Sequence, residues 1–242
     1  MTQRTAILMA GGRGSRLAPE TDGVPKPLLP LGGLPVLEIL LRQLEAAGFT
    51  NTVVALHHQA EDIQRFLDHR PPGSMPIHTH VEATPRGPLG ALHDLQDLPR
   101  SFLVIHADLL TDLPFAEVLD AHVADPASAR VVVGRVEVSF PYGVVEADEH
   151  GHVRAFREKP TIARRTSLGV FALDRDLLTH LTPTGMVGFD ELAARALAAG
   201  ETLATHAFDG PWFDIGTPER YAAAAAAMER TPSRFLPHGL RR

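Results

Sequence analysis

Closely spaced glycines and cationic side chains near the amino terminus could together bind a phosphate group. Gly11, Gly12 and Gly14 follow a short apolar run at residues 6–10, which indicates a buried strand. Glycine adopts positive φ at little cost, and successive main-chain N–H groups in such a turn form a concave anion site. The sequence therefore predicts a phosphate-binding turn with three positive charges close by, on Arg13, Arg16 and Lys26.

The turn does not match either of the two commonest phosphate-binding loops. No Gly-Lys-Ser or Gly-Lys-Thr follows Gly14, so a P-loop is excluded. The dinucleotide fingerprint needs a helix directly after the glycines, whereas a proline-containing loop follows here. Within that loop, Pro25 and Pro27 flank Lys26 and predict extended backbone for the lysine. For the glycines alone, a plain strand-to-loop turn with solvated charges is an equally good interpretation.

Acidic side chains at the ends of later strands could contribute further polar groups. Asp108 follows a buried strand, and its carboxylate suits Mg²⁺, which takes one or two carboxylates together with phosphate oxygens and water. A turn or helix-cap aspartate is the alternative for Asp108, and a surface carboxylate is the alternative for Glu82. Asp112 is a second nearby candidate for the metal-binding carboxylate, but its position predicts a cap for a helix that begins at Leu113 or Pro114.

The elements that position these residues alternate between strand and helix in the first half of the chain. This order predicts an α/β fold with a mostly parallel, doubly wound sheet and right-handed crossovers. Ligands of such sheets bind beyond the carboxyl ends of the strands, where the glycine turn, Glu82 and Asp108 are all expected. We expect strands at residues 6–10, 53–56, 77–81 and 102–105, and helices at 34–47, 61–67 and 90–98.

The pattern becomes richer in β-structure from residue 130 onward. We place a soft boundary near residue 129 between two halves of one domain, 1–129 and 130–230, and expect a loosely held tail at 231–242. We expect strands at 131–138, 167–173 and 202–208, a hairpin of 142–148 with 152–158, a helix at 189–199, and a last helix capped by Thr217 with Pro218 in its first turn.

Composition narrows the range of functions. The chain has 242 residues, 44% of them hydrophobic, and a formal net charge of −6 without a basic run, so no nucleic-acid partner is expected. It contains no cysteine, which excludes disulfides and thiolate chemistry. With neither a signal peptide nor an apolar stretch approaching ~18 residues, we expect a cytoplasmic protein without a membrane partner. The histidines lack metal-like partner sets, and His57 is expected to be a surface or strand residue.

Two segments near the amino terminus resemble those of a known family. Residues 10–19 read A-G-G-R-G-S-R-L-A-P, and residues 25–30 read P-K-P-L-L-P. They are similar to the signature of the sugar-1-phosphate nucleotidyltransferases, also called NDP-sugar pyrophosphorylases, with Ser15 where Thr is usual. The resemblance covers nearly the whole chain and implies a Rossmann-like α/β/α sandwich of the GT-A-like nucleotidyltransferase type. It also implies a mixed β lobe that binds the sugar.

The resemblance also implies roles for the nucleotide side of the site. Asp214, in W-F-D-I-G-T-P, matches the second metal-binding segment and would share one Mg²⁺ with Asp108. Arg16 would hold the leaving pyrophosphate, and Lys26 would lie between the two reacting phosphates. The remaining nucleotide-binding residues would be Ala10, Gly11, Gly12, Arg13, Gly14, Ser15, Glu82, Gly87 and Asp108.

The segment that begins at Glu82, E-A-T-P-R-G-P-L-G-A-L, looks like the base-reading stretch E-x-x-P-L-G-T-A-G-A-L of the guanylyl-transferring branch. Arg86, Pro88 and Leu89 depart from that pattern. A carboxylate can accept hydrogen bonds from N1–H and N2–H of guanine, although a cytosine amino group could also donate to it. Gly87 would let the base approach the main chain. The closest branch is that of the mannose- and heptose-1-phosphate guanylyltransferases.

Further segments resemble the family's sugar-binding parts. Residues 142–145 read Y-G-V-V and residues 158–160 read E-K-P. By resemblance, Gly143 and Glu158 face the sugar hydroxyls and Lys159 faces the sugar phosphate. The alternative is a β-hairpin with an exposed ion pair. Two further residues, Ser167 and Gly169, complete the predicted sugar pocket, and the family usually has Asn at the position of Ser167.

The function implied by the resemblance is the Mg²⁺-dependent condensation of an NTP, with GTP favoured, and a sugar 1-phosphate to an NDP-sugar and pyrophosphate. The alternatives are a cytidylyl- or uridylyltransferase that acts on a sugar, a cyclitol or another small phosphate or phosphonate, and a non-catalytic nucleotide-sugar sensor. The sequence identifies neither the sugar nor the oligomeric state, and a homo-oligomer is one possibility.

Overall fold

The computed structural model describes residues 3–12, 23–71, 75–182 and 185–237. The strands are β1 (Thr5–Met9), β2 (Pro30–Leu31), β3 (Leu34–Pro35), β4 (Asn51–Leu56), β5 (Ile77–Val81), β6 (Ser101–His106), β7 (Leu109–Thr111), β8 (Ala129–Ser139), β9 (Val144–Ala147), β10 (Val153–Arg157), β11 (Thr161–Asp174), β12 (Leu203–Ala207) and β13 (Trp212–Asp214). The α-helices are α1 (Val36–Ala46), α2 (Ala60–Asp68), α3 (Phe115–Val123), α4 (Phe189–Ala198), α5 (Pro218–Arg230) and α6 (Pro232–Phe235). Short 3-10 helices occupy Lys26–Leu28, Gly90–His93 and Arg175–His180.

The described residues form a central sheet of seven strands in the order β12-β8-β11-β6-β1-β4-β5. β1 is parallel to both β4 and β6, and β4 is parallel to β5. β11 is antiparallel to its two neighbours, β6 and β8, while β12 is parallel to β8. The predicted α/β fold with a mostly parallel sheet is therefore confirmed. Strands from both sides of the proposed boundary near residue 129 join this one sheet, and the division into halves stays a prediction.

Both faces of the sheet are covered because successive side chains of a strand point to opposite faces. In β1, Ala6 and Leu8 belong to the core layer that also contains side chains of α1, α3 and α5, whereas Ile7 belongs to the layer that contains side chains of α4. All three are fully buried. An uninterrupted apolar run is what a central strand between two core layers requires, and it explains the apolar segment that precedes the glycines.

Two predicted helix boundaries are wrong. The helix expected at 90–98 is only a 3-10 turn, Gly90–His93. Asp97 has a φ of 59° and Leu98 precedes a proline, and both conditions disfavour a continuing helix. The expected cap at Asp112 is also wrong, because α3 begins at Phe115 after Pro114. Asp112 instead accepts a hydrogen bond of 2.5 Å from Arg234 Nε.

The tail beyond Arg230, predicted to be loosely held, packs against the domain as far as it is described. Phe235 in α6 is only 2% exposed. Its carbonyl oxygen accepts a hydrogen bond of 2.8 Å from Gln43 Nε2, and Arg234 pairs with Asp112. One apolar anchor and two polar contacts therefore fix this segment, and residues 238–242 lie outside the described part of the chain.

The predicted hairpin in the second half is present. β9 and β10 pair in the antiparallel sense, and Asp148 in their connection accepts hydrogen bonds from the main-chain N–H groups of His150 and His152. The last helix, α5, has Thr217 as its N-cap and Pro218 in its first turn, as predicted. In the described part of the chain, every helix is too short or too polar to cross a membrane.

A partly buried polar triad joins β6, α3 and β11 at the end of the sheet opposite the glycine turn. Asp174 accepts a hydrogen bond of 2.5 Å from Ser101 Oγ and lies 3.1 Å from Nε2 of His122. His122 is 1% exposed, and its Nδ1 has no hydrogen-bond partner among the described residues. Burial lowers the pKa of His122 more than the neighbouring Asp174 raises it. The fold therefore favours the neutral ring.

We expect part of the acid sensitivity of the fold to come from His122. Its unfolded pKa is about 6.5, so its contribution to stability is present above that pH. That contribution is lost as the pH falls towards the lower folded-state pKa, because the unfolded chain binds the proton more readily. Denaturant unfolding between about pH 7 and about pH 5 should show a smaller loss of unfolding free energy in His122→Gln than in the unmodified protein. Equal pH slopes would contradict this assignment.

Candidate active site

A cavity of about 670 Å³ opens beyond the carboxyl ends of the parallel strands. The parallel pairing explains its composition, because β1, β4, β5 and β6 all end at this edge. Gly11 follows β1, His57 follows β4 and Glu82 follows β5, while Asp108 lies two residues beyond β6. The lining consists of Met9, Ala10, Gly11, Gly12, Lys26, Pro27, Ala55, His57, Glu82, Pro85, Gly87, Pro88, His106, Ala107, Asp108 and Met186.

Lys26 projects towards the acidic side of the cavity. Its Nζ lies 3.8 Å from Oδ2 of Asp108, and its side chain is only 13% exposed. The prediction of extended backbone at Lys26 is wrong: Lys26 begins a 3-10 helix, and the extended residues are Pro25 before this helix and Leu29 after it. The main-chain N–H of Leu28 donates to the carbonyl of Pro25 at 2.8 Å, and this turn fixes the direction of the lysine.

Asp108 and Asp214, which are distant in the sequence, are brought together by a short antiparallel pair. β13 pairs with β7 so that Asp214 lies opposite Leu109. The next main-chain N–H, that of Ile215, donates to the carbonyl of Asp108 at 3.0 Å. His106 lies beside both acids: burial lowers its pKa, and the two negative charges partly oppose that shift. The structure therefore brings the two acids together beside His106 as an acidic pair, of which Asp108 lines the cavity.

Each acid of this pair also faces a cation. Asp108 faces Lys26, and Asp214 Oδ2 accepts a hydrogen bond of 2.5 Å from Arg220 Nη1. Asp214 Oδ1 accepts a bond of 2.8 Å from the main-chain N–H of Gly216, which fixes the carboxylate. The described residues contain no cluster of three or more His, Cys, Asp or Glu side chains suited to a metal. Two adjacent carboxylates alone suit a hard divalent cation that takes its other ligands from phosphate and water.

Glu82 lies at the end of β5, and two strands of the sheet, β1 and β4, separate β5 from β6, which Asp108 follows. Glu82 is 6% exposed, and burial raises its pKa while the charge of Arg86 lowers it. The loop that follows is clamped to the second half of the chain. Val187 N–H donates to Arg86 O at 2.6 Å, and Leu89 N–H donates to Val187 O at 3.0 Å. Gly87 has a φ of 90° and fits tightly against the Val187 backbone.

The predicted sugar-side residues divide into two groups. Gly169 has a φ of 73°, and a Cβ built there would lie 2.8 Å from Nδ1 of His106. This glycine therefore packs closely on the histidine that lies beside the acidic pair. Ser167 Oγ accepts a bond of 3.3 Å from the main-chain N–H of Gly169. Gly143 and Glu158 lie next to each other in the hairpin region, since a Cβ on Gly143 would be 3.2 Å from Glu158 Oε2.

None of these sugar-side residues lines the cavity described above, although all of them belong to the described part of the chain. Lys159 has a φ of 42°, a left-handed conformation that is uncommon for a side chain of this kind. Arg13, Gly14, Ser15 and Arg16 lie outside the described residues.

Sequence reasoning missed two histidines and a methionine that line the cavity: His57, His106 and Met186. His57 was predicted to be an ordinary surface or strand residue, but its Nδ1 lies 3.1 Å from the carbonyl oxygen of Glu82. His106 packs edge-on against Phe171 at 6.0 Å between ring centroids. The position of each histidine at the carboxyl end of a strand was the signal that could have identified it.

Comparison with known proteins gives consistent matches. A model of the family described as nucleotidyl transferase matches residues 5–231. A mannose-1-phosphate guanyltransferase of Yarrowia lipolytica is 29% identical over 246 residues, covering 97% of this chain. Mannose-1-phosphate guanylyltransferase 1 of Arabidopsis thaliana is 30% identical over 227 residues, covering 89% of this chain. This chain spans only 66% and 62% of the lengths of these two relatives.

A solved structure shares the fold. HddC from Yersinia pseudotuberculosis, in a complex with GMP-PN, superposes with a TM-score of 0.70 at 22% sequence identity. The match covers 93% of this chain and 100% of that chain. At this identity the likeness concerns the fold alone.

The clamp on the loop after Glu82 can be tested with Gly87→Ala. A Cβ at Gly87 would lie 2.8 Å from main-chain atoms of Val187, which cannot move aside as a flexible side chain can, and its φ of 90° adds strain. We expect the loop to shift and nucleotide affinity, measured by calorimetry, to fall about tenfold.

Gly151→Ala is the matched control for Gly87→Ala. Gly151 also has a positive φ, 83°, but a Cβ there would meet nothing within 4 Å. The control should bind nucleotide as the unmodified protein does. Unchanged affinity in Gly87→Ala, or an equal loss in both variants, would show that the clamp does not matter for the cavity.

Proposed function

This chain belongs to the nucleotidyl transferase family, and from that premise we propose that it is a sugar-1-phosphate nucleotidyltransferase. It condenses an NTP, GTP by preference, with a sugar 1-phosphate to give an NDP-sugar and pyrophosphate. The observation that carries the proposal is the convergence of Gly11, Gly12, Lys26 and Asp108 in one cavity of about 670 Å³. The guanyltransferase names of the relatives and the GMP-PN bound to HddC support a guanine nucleotide.

The reaction needs no protein nucleophile. An oxygen of the sugar phosphate attacks the α-phosphorus in line, the bond from that phosphorus to the bridging oxygen breaks, and pyrophosphate leaves with the electron pair. Catalysis of such transfers consists mainly of positioning and charge stabilisation. Lys26 is suited to this task because it is largely buried at the cavity wall and faces Asp108. Arg16 is assigned to the leaving pyrophosphate and Lys159 to the attacking phosphate, both by family resemblance.

The acidic pair is assigned to a divalent cation. Asp108 and Asp214 would hold Mg²⁺, which when bound supplies neutralisation of the phosphate charge. Lys26 and Arg220 balance the two carboxylates from the protein side. Gly11 and Gly12 would bring main-chain N–H groups to the phosphates, and Ala10, Arg13, Gly14 and Ser15 are assigned to the same nucleotide-binding turn by resemblance.

The opposite wall of the cavity is assigned to the nucleobase. Glu82 is a buried acceptor, and Gly87 lines the cavity beside it. The sugar is assigned to Gly143, Glu158, Ser167 and Gly169. Of these, Gly169 packs closely on His106, which lies beside the acidic pair. A cytoplasmic location is part of this proposal, since NTPs are the substrates.

The proposal is tested by pyrophosphate release from the purified protein with Mg²⁺. ATP, CTP, GTP, UTP and dTTP should each be combined with mannose, glucose and heptose 1-phosphates. We expect the fastest release with GTP and only when a sugar 1-phosphate is present. Release that is fastest with CTP or UTP would contradict the assigned base, and nucleotide binding without release under any combination would indicate a sensor.

Replacing Lys26 tests the assigned catalytic cation. Lys26→Ala should lower kcat by roughly 10²–10³-fold, because one preorganised charge near the reacting phosphates is lost. Lys26→Met keeps the side-chain length without the charge and should show a loss of the same order. Near-normal turnover in either variant, with thermal unfolding unchanged, would remove Lys26 from the mechanism.

A further inference from the structure

Glu82 has an acceptor that no group of the described residues satisfies. Its Oε1 is buried and has no hydrogen-bond partner there, although the residue is only 6% exposed. Two glycines pack closely on the carboxylate: a Cβ on Gly90 would lie 2.7 Å from Oε1, and a Cβ on Gly11 would lie 3.7 Å from Oε2. The side chain also lines the cavity. Unpaired buried acceptors are costly and indicate a partner that arrives with a ligand.

Arg86 lies beside this carboxylate and is held there from its other side. Its Nε is 3.9 Å from Glu82 Oε1, and its stem passes over Gly90, where any Cβ would overlap it. Its Nη2 forms an ion pair with Asp94, which is also 3.2 Å from Nε2 of His80. Arg86 is therefore tethered by Asp94 and directed towards Glu82, while its main chain is clamped by Val187.

We propose that Arg86 is a positioning residue for nucleobase selection: tethered to Asp94, it holds Glu82 as an ionised acceptor of two hydrogen bonds from the base. The inference rests on the proposed nucleotide substrate and adds a residue outside the family resemblance. The base-reading stretch of the guanylyl-transferring branch has Leu where this chain has Arg86. A leucine at that position would keep the main-chain hydrogen bond to Glu82 but would offer it no charge.

The charge state of Glu82 decides what the base must present. Burial raises its pKa, and among the facing groups Arg86 and His57 lower it whereas Asp94 raises it. An ionised carboxylate only accepts hydrogen bonds, but a protonated one also donates. Guanine presents two adjacent donors, N1–H and N2–H, to such an acceptor. Hypoxanthine, the base of ITP, keeps N1–H but lacks the N2 amino group. The ratio of GTP affinity to ITP affinity therefore measures the contribution of the hydrogen bond from N2–H.

The test is calorimetric binding of GTP and ITP with Mg²⁺ to the intact chain and to variants of this cluster. The unmodified protein should bind GTP at least about tenfold more tightly than ITP, the value of one charge-assisted hydrogen bond. Arg86→Leu should bring that ratio close to one. As the pH is lowered, this variant should also lose GTP affinity at a higher pH than the unmodified protein does, because Arg86 lowers the pKa of Glu82. Arg86→Lys, which keeps the charge, should restore most of the ratio.

Two further variants separate this role from a general effect on structure. Asp94→Asn leaves Arg86 in place but weakens its tether, so the ratio should fall in the same direction and by less. Arg65→Leu removes an ion-paired surface arginine, the partner of Asp62 in α2, and should leave the ratio unchanged. Thermal unfolding of each variant checks that the fold is intact.

The inference is overturned if the unmodified protein binds GTP and ITP equally, or if Arg86→Leu keeps the full ratio and pH profile. It is equally overturned if Arg65→Leu lowers the ratio as much as Arg86→Leu. Because binding is measured without turnover, these outcomes differ from failure of the proposed function, which is read separately from pyrophosphate release.

Discussion

The parallel pairing of β1 with β4 and β6 is the constraint on which the rest of the site depends. Parallel strands have their carboxyl ends at the same edge of the sheet. Residues that follow different strands therefore lie close together there although they are distant in the sequence. Gly11 and Asp108 reach one cavity for this reason, and the parallel pairing of β4 with β5 brings Glu82 to it. The fully buried side chains of β1 hold the register, because a slip by one residue would exchange its two core layers.

The cavity has two chemically different ends. At one end the antiparallel pair of β7 and β13 adds Asp214 to Asp108, and the cations Lys26 and Arg220 balance them. At the other end the buried Glu82 faces the cavity beside glycines. Charge therefore concentrates where phosphates and a metal are proposed, and a single buried acceptor remains where a base is proposed. The distance along the sheet between β6 and β5 separates these two tasks.

The sequence was sufficient for the parts that depend on short-range patterns. The strand before the glycines, the helix expected at 34–47 and the Thr217 cap each have a local physical signal, and each is present in the structure. The errors involve groups whose partners are distant in the sequence. Asp112 pairs with Arg234 instead of capping α3, and the main chain of Arg86 pairs with that of Val187. Neither pairing has a local pattern from which it could be predicted.

We propose that the glycine turn and the two distant acids act on one triphosphate. The decisive experiment is a crystal structure with a non-hydrolysable GTP analogue and Mn²⁺, because the anomalous signal of Mn²⁺ locates the cation. We expect the cation to be bound between Asp108 and Asp214, with the phosphates over Gly11 and Gly12 and the base beside Glu82. A cation bound elsewhere, or phosphates directed away from the glycine turn, would contradict the account.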